Sequence, residues 1–257
     1  MSISNYRIAI ITLIVTAVLL GVKFALHTFQ LEPIVLGSLH SSAISGVIFV
    51  IGFLLSATIA DYKEAERIPA EAASTLENMY EDALSISKNY PDFDFQTYRL
   101  QLEKVAISLT NDLRDSRSHE ARNELRALGQ LHAVMEKVGV PANFIVKLKQ
   151  QHGSLQRNLS RVNYIQRITF LPSANILAWS IVILAIALLL FTEIEPFFGG
   201  LLITGAITFI LVYVLLLIGV IKTPFHSEGR TKDDVSLFLL ERTIEQFKNE
   251  NNNISKN

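Results

Sequence analysis

The sequence contains no cysteine. That absence excludes disulfides, thiolate metal sites and a cysteine nucleophile. Charge is scarce as well: 18% of the 257 residues are Asp, Glu, Lys or Arg, against roughly 25% in ordinary globular proteins. Neither sign dominates. The formal net charge is −1 and the pI about 6.6, which leaves no electropositive face of the kind a nucleic-acid binder needs. Hydrophobic residues make up 50% of the chain, and the mean hydropathy is +0.34. The missing charge is not spread evenly, because long uncharged runs flank a soluble-looking middle. An ordinary cytosolic enzyme does not have this pattern.

Four runs are apolar enough to cross a bilayer. Ile8–Thr28 is interrupted only by Lys23 and His27 near its far end. Ala43–Ala60, Ser173–Phe191 and Gly199–Ile221 carry no charge. A spanning helix needs about 20 apolar residues. The second run is the shortest and least greasy, holding Ser45, Ser56, Thr58, Gly46 and Gly52. No small-residue cleavage site follows the first run, so it reads as a span and not a signal peptide. The pattern predicts four transmembrane helices.

The connections Phe29–Ser42 and Thr192–Phe198 have no Lys or Arg, whereas Arg7, Lys63, Arg67, Arg157, Arg161, Arg167 and Lys222 flank the opposite ends. Cytoplasmic ends carry the Lys and Arg excess, so both termini and the middle segment are expected in the cytoplasm. The resulting division is 1–62 for transmembrane helices one and two, and 63–170 for a helical cytosolic domain. Residues 171–222 hold transmembrane helices three and four, and 223–257 hold a cytosolic C-terminal helix and a disordered Asn-rich tail.

The middle segment has 15 Lys and Arg against 14 Asp and Glu. Apolar residues recur in steps of three and four at Phe95, Tyr98, Leu102, Val105, Leu109 and Leu113, as on one buried helical face. A second stripe runs Ile145, Leu148, His152, Leu155, Leu159 and Val162. Pro91, Gly129, Gly139-Val140-Pro141 and Pro172 supply breaks. No strand pattern is present. Helix two is expected to continue out of the membrane through Asp61–Asn89.

Catalytic chemistry finds no support. The histidines at 27, 40, 119, 132, 152 and 226 share no metal-ligand spacing, and there is no HExxH, phosphate loop or GxSxG elbow. His152 reads as a core residue. Asp233-Asp234 and Glu64/Glu66 read as solvated faces or caps. The expectation is a protein that is not an enzyme.

Two constellations stand out. Ser45, Phe49, Gly52, Phe53 and Ser56 lie along one side of helix two at spacings of three and four. Small residues let membrane helices pack closely, so this side is either a packing face or a pore wall with apolar constrictions. After helix four, Thr223-Pro224-Phe225-His226 precedes Asp233-Asp234-Val235-Ser236 and then Arg242-Thr243-Ile244-Glu245. Pro224 ends the membrane helix, and Asp234 or Ser236 suits a helix cap.

The second constellation resembles the bestrophin pattern, in which an Asn-Pro-Phe-Gly turn precedes an acidic residue and a helix. Thr223 and His226 stand where that turn has Asn and Gly. Bacterial bestrophins have a similar Asp…Arg-Thr-Ile-Glu run, matched by Asp234 and Arg242–Glu245. Helix two is similar to the family's second helix, with Phe53 at a neck aromatic, Phe49 one turn before it, and Asp61–Arg67 as the extension. Glu66 stands where the extension has Arg.

The resemblance implies an all-α membrane protein of four transmembrane helices with a helical cytosolic domain, in a bacterial inner membrane. It implies a homopentameric ion channel whose second helix lines a pathway for small inorganic ions, chloride above all. Ser45, Phe49, Gly52, Phe53 and Ser56 then line the pore and neck, and Pro224, Phe225, Asp233 and Asp234 form a regulatory turn. No charge lies within helix two before Asp61, so discrimination would rest on dehydration and on the positive edges of the aromatic rings. Two carboxylates make a poor calcium site, and no metal or other cofactor is expected. The competing reading is a non-conducting membrane scaffold or sensor whose cytosolic domain binds a partner.

Overall fold

The computed structural model describes residues 6–115, 119–167, 172–225 and 235–254, with side chains given for all of these except 166, 167, 172 and 250–254. Among them are eight helices. These are α1 (Arg7–Thr28), α2 (Ser38–Asn89), α3 (Phe95–Arg114), α4 (Glu120–Lys137), α5 (Ala142–Arg167), α6 (Pro172–Phe191), α7 (Phe197–Ile221) and α8 (Phe238–Ile254). Four of them, α1, α2, α6 and α7, are long and apolar enough to cross a membrane. The protein is an all-α integral membrane protein.

The chain divides into two compact units, one built on Met1–Tyr62 and Thr169–Thr223, the other on Lys63–Ile168 and Asp234–Asn257. In the first, α1 packs on α7 and α6. Ile44 and Ile51 of α2 pack with Ala178, Val182 and Ala185 of α6 and with Leu211 and Leu215 of α7. Gly205 admits α1 closely, since a Cβ there would stand 3.1 Å from Leu20 Cδ1. In the second unit, one core joins the later turns of α2 to α3, α4, α5 and α8.

Three local expectations are corrected. The chain does contain strands: β1 (Ile34–Val35) and β2 (Thr192–Glu193) pair in parallel, Ile34 opposite Thr192. Two residues cannot show an alternating pattern, which is why the sequence hides them. Gly129 is not a break but sits inside α4. A Cβ there would come within 2.8 Å of His152 Cε1, so glycine serves the approach of α4 to α5. Helix two begins at Ser38, five residues before the uncharged run. It also passes through Pro69, whose missing N–H costs one helical hydrogen bond.

The remaining breaks fall at helix ends. Pro91 follows α2, Gly139 takes the positive φ (81°) that closes α4, and Pro172 opens α6. Both stripes of the middle segment are buried at Tyr98, Leu102, Val105, Leu109 and Leu113, and at Ile145, Leu148, His152, Leu155, Leu159 and Val162. Asp94 starts α3 by accepting from the Thr97 amide at 3.0 Å. The Thr97 hydroxyl, donating at 2.6 Å, and then this amide hold its carboxyl below the usual range.

Candidate functional site

Helix α2 is 52 residues long, about 78 Å at 1.5 Å per residue. One buried residue recurs at every seventh position along it: Ile44, Ile51, Thr58, Ala65, Ala72, Met79 and Ile86, none above 7% exposed. A period of seven falls just short of two turns of helix, so such a stripe winds slowly about a straight helix, by about 20° per heptad. The side opposite Ile44, Ile51 and Thr58 is open. Ser45, Phe49, Gly52, Phe53 and Ser56 all lie on that open side. The two rings are 75% and 68% exposed.

The character of this face differs from the other exposed membrane faces. On α1, α6 and α7 the exposed residues include Leu13, Ile14, Val18, Ile183, Leu184, Leu202 and Ile203, as expected against lipid. The open side of α2 carries Ser45, Gly46, Gly52, Ser56 and Ala57 around its two phenylalanines. Small and hydroxylated residues favour close helix approach or water over lipid. Among the described residues, neither core cluster includes a residue of this face.

The turn after α7 belongs to the second unit. Pro224 is buried and its carbonyl accepts from the Val235 amide at 3.0 Å. Phe225 packs partly against the core there. Ser236 accepts weakly from the Phe238 amide, at 3.4 Å, as α8 begins. Asp233, Asp234 and His226 lie outside the described residues. Pro224 and Phe225 therefore stand with α8, while the five α2 residues form a separate stripe on one helix.

A polar cluster at the other end of the first unit escaped the sequence reading. Lys23 is 1% exposed. Its ammonium donates to the carbonyls of Leu190, at 3.2 Å, and Thr192. It also pairs with Glu32 at 2.5 Å. Burial opposes ionisation of Glu32, but the hydrogen bonds from Lys23 and His27 outweigh it and hold the carboxyl below its usual range. His27 stacks on Phe197 with ring centroids 3.9 Å apart. Thr192 Oγ1 donates to Leu188 O at 2.6 Å and meets His40 Nδ1 at 3.1 Å. With the hydroxyl proton so used, Nδ1 is the donor to Thr192. Lys23 is the sole cation of its span and Glu32 the sole carboxylate of the following connection, a signal legible in hindsight.

Inside the second unit, Tyr98 and His132 meet at 3.2 Å between Oη and Nε2. Burial keeps the phenol protonated. His132 and His152 face each other with centroids 5.5 Å apart. Burial first, and then His152 and Lys149, push His132 down to about 4. Burial lowers His152 too. Among the described residues no group of three or more His, Asp or Glu side chains is placed to hold a metal ion.

No family model and no curated protein matches the chain. Solved structures do. A crystal structure described only as a membrane protein variant superposes with a TM-score of 0.80 at 15% identity, over 94% of this chain and 97% of that one. A variant of a bacterial bestrophin homologue from Klebsiella pneumoniae gives 0.79 at 16% identity, over 93% and 96%. A second structure of that homologue gives 0.78 at 15% identity, over 93% and 96%. Agreement over nearly the full length of both chains leaves one conclusion: the protein has the fold of the bacterial bestrophin homologues.

Proposed function

We propose that the protein is an oligomeric ion channel that passes small anions such as chloride through a pathway lined by α2. The assembly in this reading is a homopentamer in a bacterial inner membrane, with both termini cytoplasmic. The observation that carries it is the open stripe of α2, whose small, hydroxylated and aromatic residues are left unused by the chain's own packing. The fold shared with the bestrophin homologues supports it. Ser45, Gly52 and Ser56 then face water, and five copies each of Phe49 and Phe53 form two stacked apolar rings. Such rings give a passing ion nothing to replace its hydration, so they constrict by dewetting. The edges of the rings carry positive charge density and meet an anion more readily than a cation.

The test is the double variant Phe49→Ala/Phe53→Ala in planar bilayers. Removing both rings widens and wets the constriction, so conductance rises and discrimination by ion size falls, with the oligomer intact. Loss of the oligomer without any change in conductance sinks the pore assignment. That result assigns the stripe to helix packing and favours a non-conducting scaffold.

A further inference from the structure

Helix α5 carries no carboxylate. From Val138 to Thr192 the chain has no Asp or Glu, and its charged residues there are Lys147, Lys149, Arg157, Arg161 and Arg167. Two of these cations are balanced from the later turns of α2. Lys147 pairs with Asp82 at 2.7 Å, and Arg161 grips Glu64 with Nε at 2.7 Å and with Nη2. Lys149 and Arg157 are exposed and make no ion pair among the described residues.

Arg157 stands over an open groove of about 590 Å³, which Gly153, Gln156, Ser160, Arg161 and Tyr164 line with it. Its guanidinium lies back along the helix, since a Cβ on Gly153 would stand 3.6 Å from Nη1. Arg161 is held twice, by Glu64 and by Tyr164, whose ring centroid is 4.9 Å from the guanidinium carbon. Among the described residues no carboxylate lines the groove. Glu66 and Glu71 of α2 are exposed outside it, and Glu71 accepts from Arg67. On the other flank of α5, α4 adds His119 and Arg122. Asp112 of α3 lies there too, accepting from the amides of Glu120 and Ala121. With Glu64 counted, the groove keeps a net positive charge. It also presents donors from a guanidinium, a hydroxyl and an amide.

Its position along the chain says what fills it. Tyr164 precedes the membrane span Ser173–Phe191 by nine residues. Glu64, which holds Arg161, follows the uncharged run ending at Ala60 by four. A chain reaches at most about 3.6 Å per residue, so the Glu64 backbone stays within about 14 Å of that run's end. Guanidiniums and hydroxyls recognise phosphate, and the layer at the end of a membrane span is rich in phospholipid headgroups. Tyr164 supplies an amphipathic ring of the kind that belongs at that layer. We infer that the groove of α5 binds the phosphate headgroup of an anionic phospholipid, with Arg157 as the main contact and Ser160 and Arg161 beside it. Such binding depends on the membrane spans and not on the pore reading of α2.

The experiment compares phosphatidylglycerol with phosphatidylcholine retained by the full-length protein in neutral detergent micelles, counted by native mass spectrometry. The wild type should retain the anionic lipid in preference, and equal retention of the two overturns the proposal. Arg157→Gln should weaken the anionic retention about fivefold, as the loss of one cation at a membrane surface does. Arg157→Lys should keep most of it. Since Arg157 is exposed, both variants should melt as the wild type does. Lys149→Gln removes the same charge from the same helix, eight residues earlier, and should change little. An equal loss in Lys149→Gln means that overall charge attracts the lipid, and the site falls. Free glycerol phosphate separates the two sources of phosphate. If it displaces the lipid at equal concentration, the groove takes soluble phosphate and the lipid assignment is overturned. Unchanged retention in Arg157→Gln also overturns it, and loss of the oligomer in that variant assigns the groove to contact between copies instead.

Discussion

The two units differ most in what they leave exposed. In the extramembrane unit the core is large and aliphatic or aromatic: Leu76, Met79, Tyr98, Leu102, Leu109, Leu128 and Phe247 are all at most 1% exposed. In the membrane unit, Thr12, Thr58, Thr204 and Thr208 are at most 2% exposed beside Ile51, Val182 and Leu211, while Leu13, Val18, Leu184 and Leu202 are more than 60% exposed. Water forces large apolar groups inward. Lipid applies no such force, so membrane helices meet on small and hydroxylated residues that permit close approach. Large apolar residues therefore lie mostly inside one half of the chain, and both inside and outside in the other.

The sharpest way to break this comparison is at Lys23, where a charge is buried in the membrane unit. Lys23→Met leaves the Glu32 carboxyl enclosed without its ammonium partner, and removing one partner of a buried pair costs about 3–5 kcal/mol. Unfolding in detergent micelles should show that loss, and Lys23→Met/Glu32→Gln should recover much of it. A single-variant loss below about 1 kcal/mol would mean the ammonium contributes nothing to holding α1 against the end of α6.

Leu102→Ala probes the other unit. Truncating a fully buried leucine costs about 2–5 kcal/mol, read as a lowered unfolding midpoint. The pH response is next in size. His132 has its folded-state pKa depressed to about 4, from an ordinary 6.5. Between those values the unfolded chain binds a proton that the folded chain refuses. Stability is therefore full above about pH 6.5 and falls as pH drops toward 4, by up to about 3 kcal/mol. His132→Phe should flatten that slope; an equally steep slope would place the titration elsewhere. The smallest effect belongs to Leu202→Ala, 76% exposed in the membrane unit. It should shift stability by less than about 1 kcal/mol, since the side chain trades lipid contacts for lipid contacts. A loss as large as that of Leu102→Ala would show that this face is covered by protein.

The contrast also explains what could be read from the sequence. In the extramembrane unit, Tyr98, Leu102, Val105, Leu109 and Leu113 announce their burial by spacing, because their neighbours on the other faces are polar. In the four apolar runs every face is apolar, so span and length are legible while the packed side is not. Ser45, Phe49, Gly52, Phe53 and Ser56 could be grouped on one side of α2, yet whether that side was packed or open could not be decided. The buried set Ile44, Ile51 and Thr58 answers it for the single chain: the side is open. Gly129 misled because its reason lies in another helix, at His152. The β1–β2 pair was invisible because two residues carry no period.

The membrane unit is assembled from two ends of the chain, and this bears on how it is made. Lys23 reaches carbonyls of Leu190 and Thr192, 167 and 169 residues further on. During synthesis α1 and α2 enter the bilayer long before α6 exists, and the whole of α3 to α5 is translated in between. Lys23 and Glu32 are close enough in sequence to find each other at once. Their ion pair can shield both charges from lipid during that wait, and the late arrival of α6 then supplies the carbonyls that complete the site. A chain with Lys23 but without Glu32 would face the wait with an unshielded ammonium, and its defect would appear as poor insertion yield before it appeared as an unstable protein.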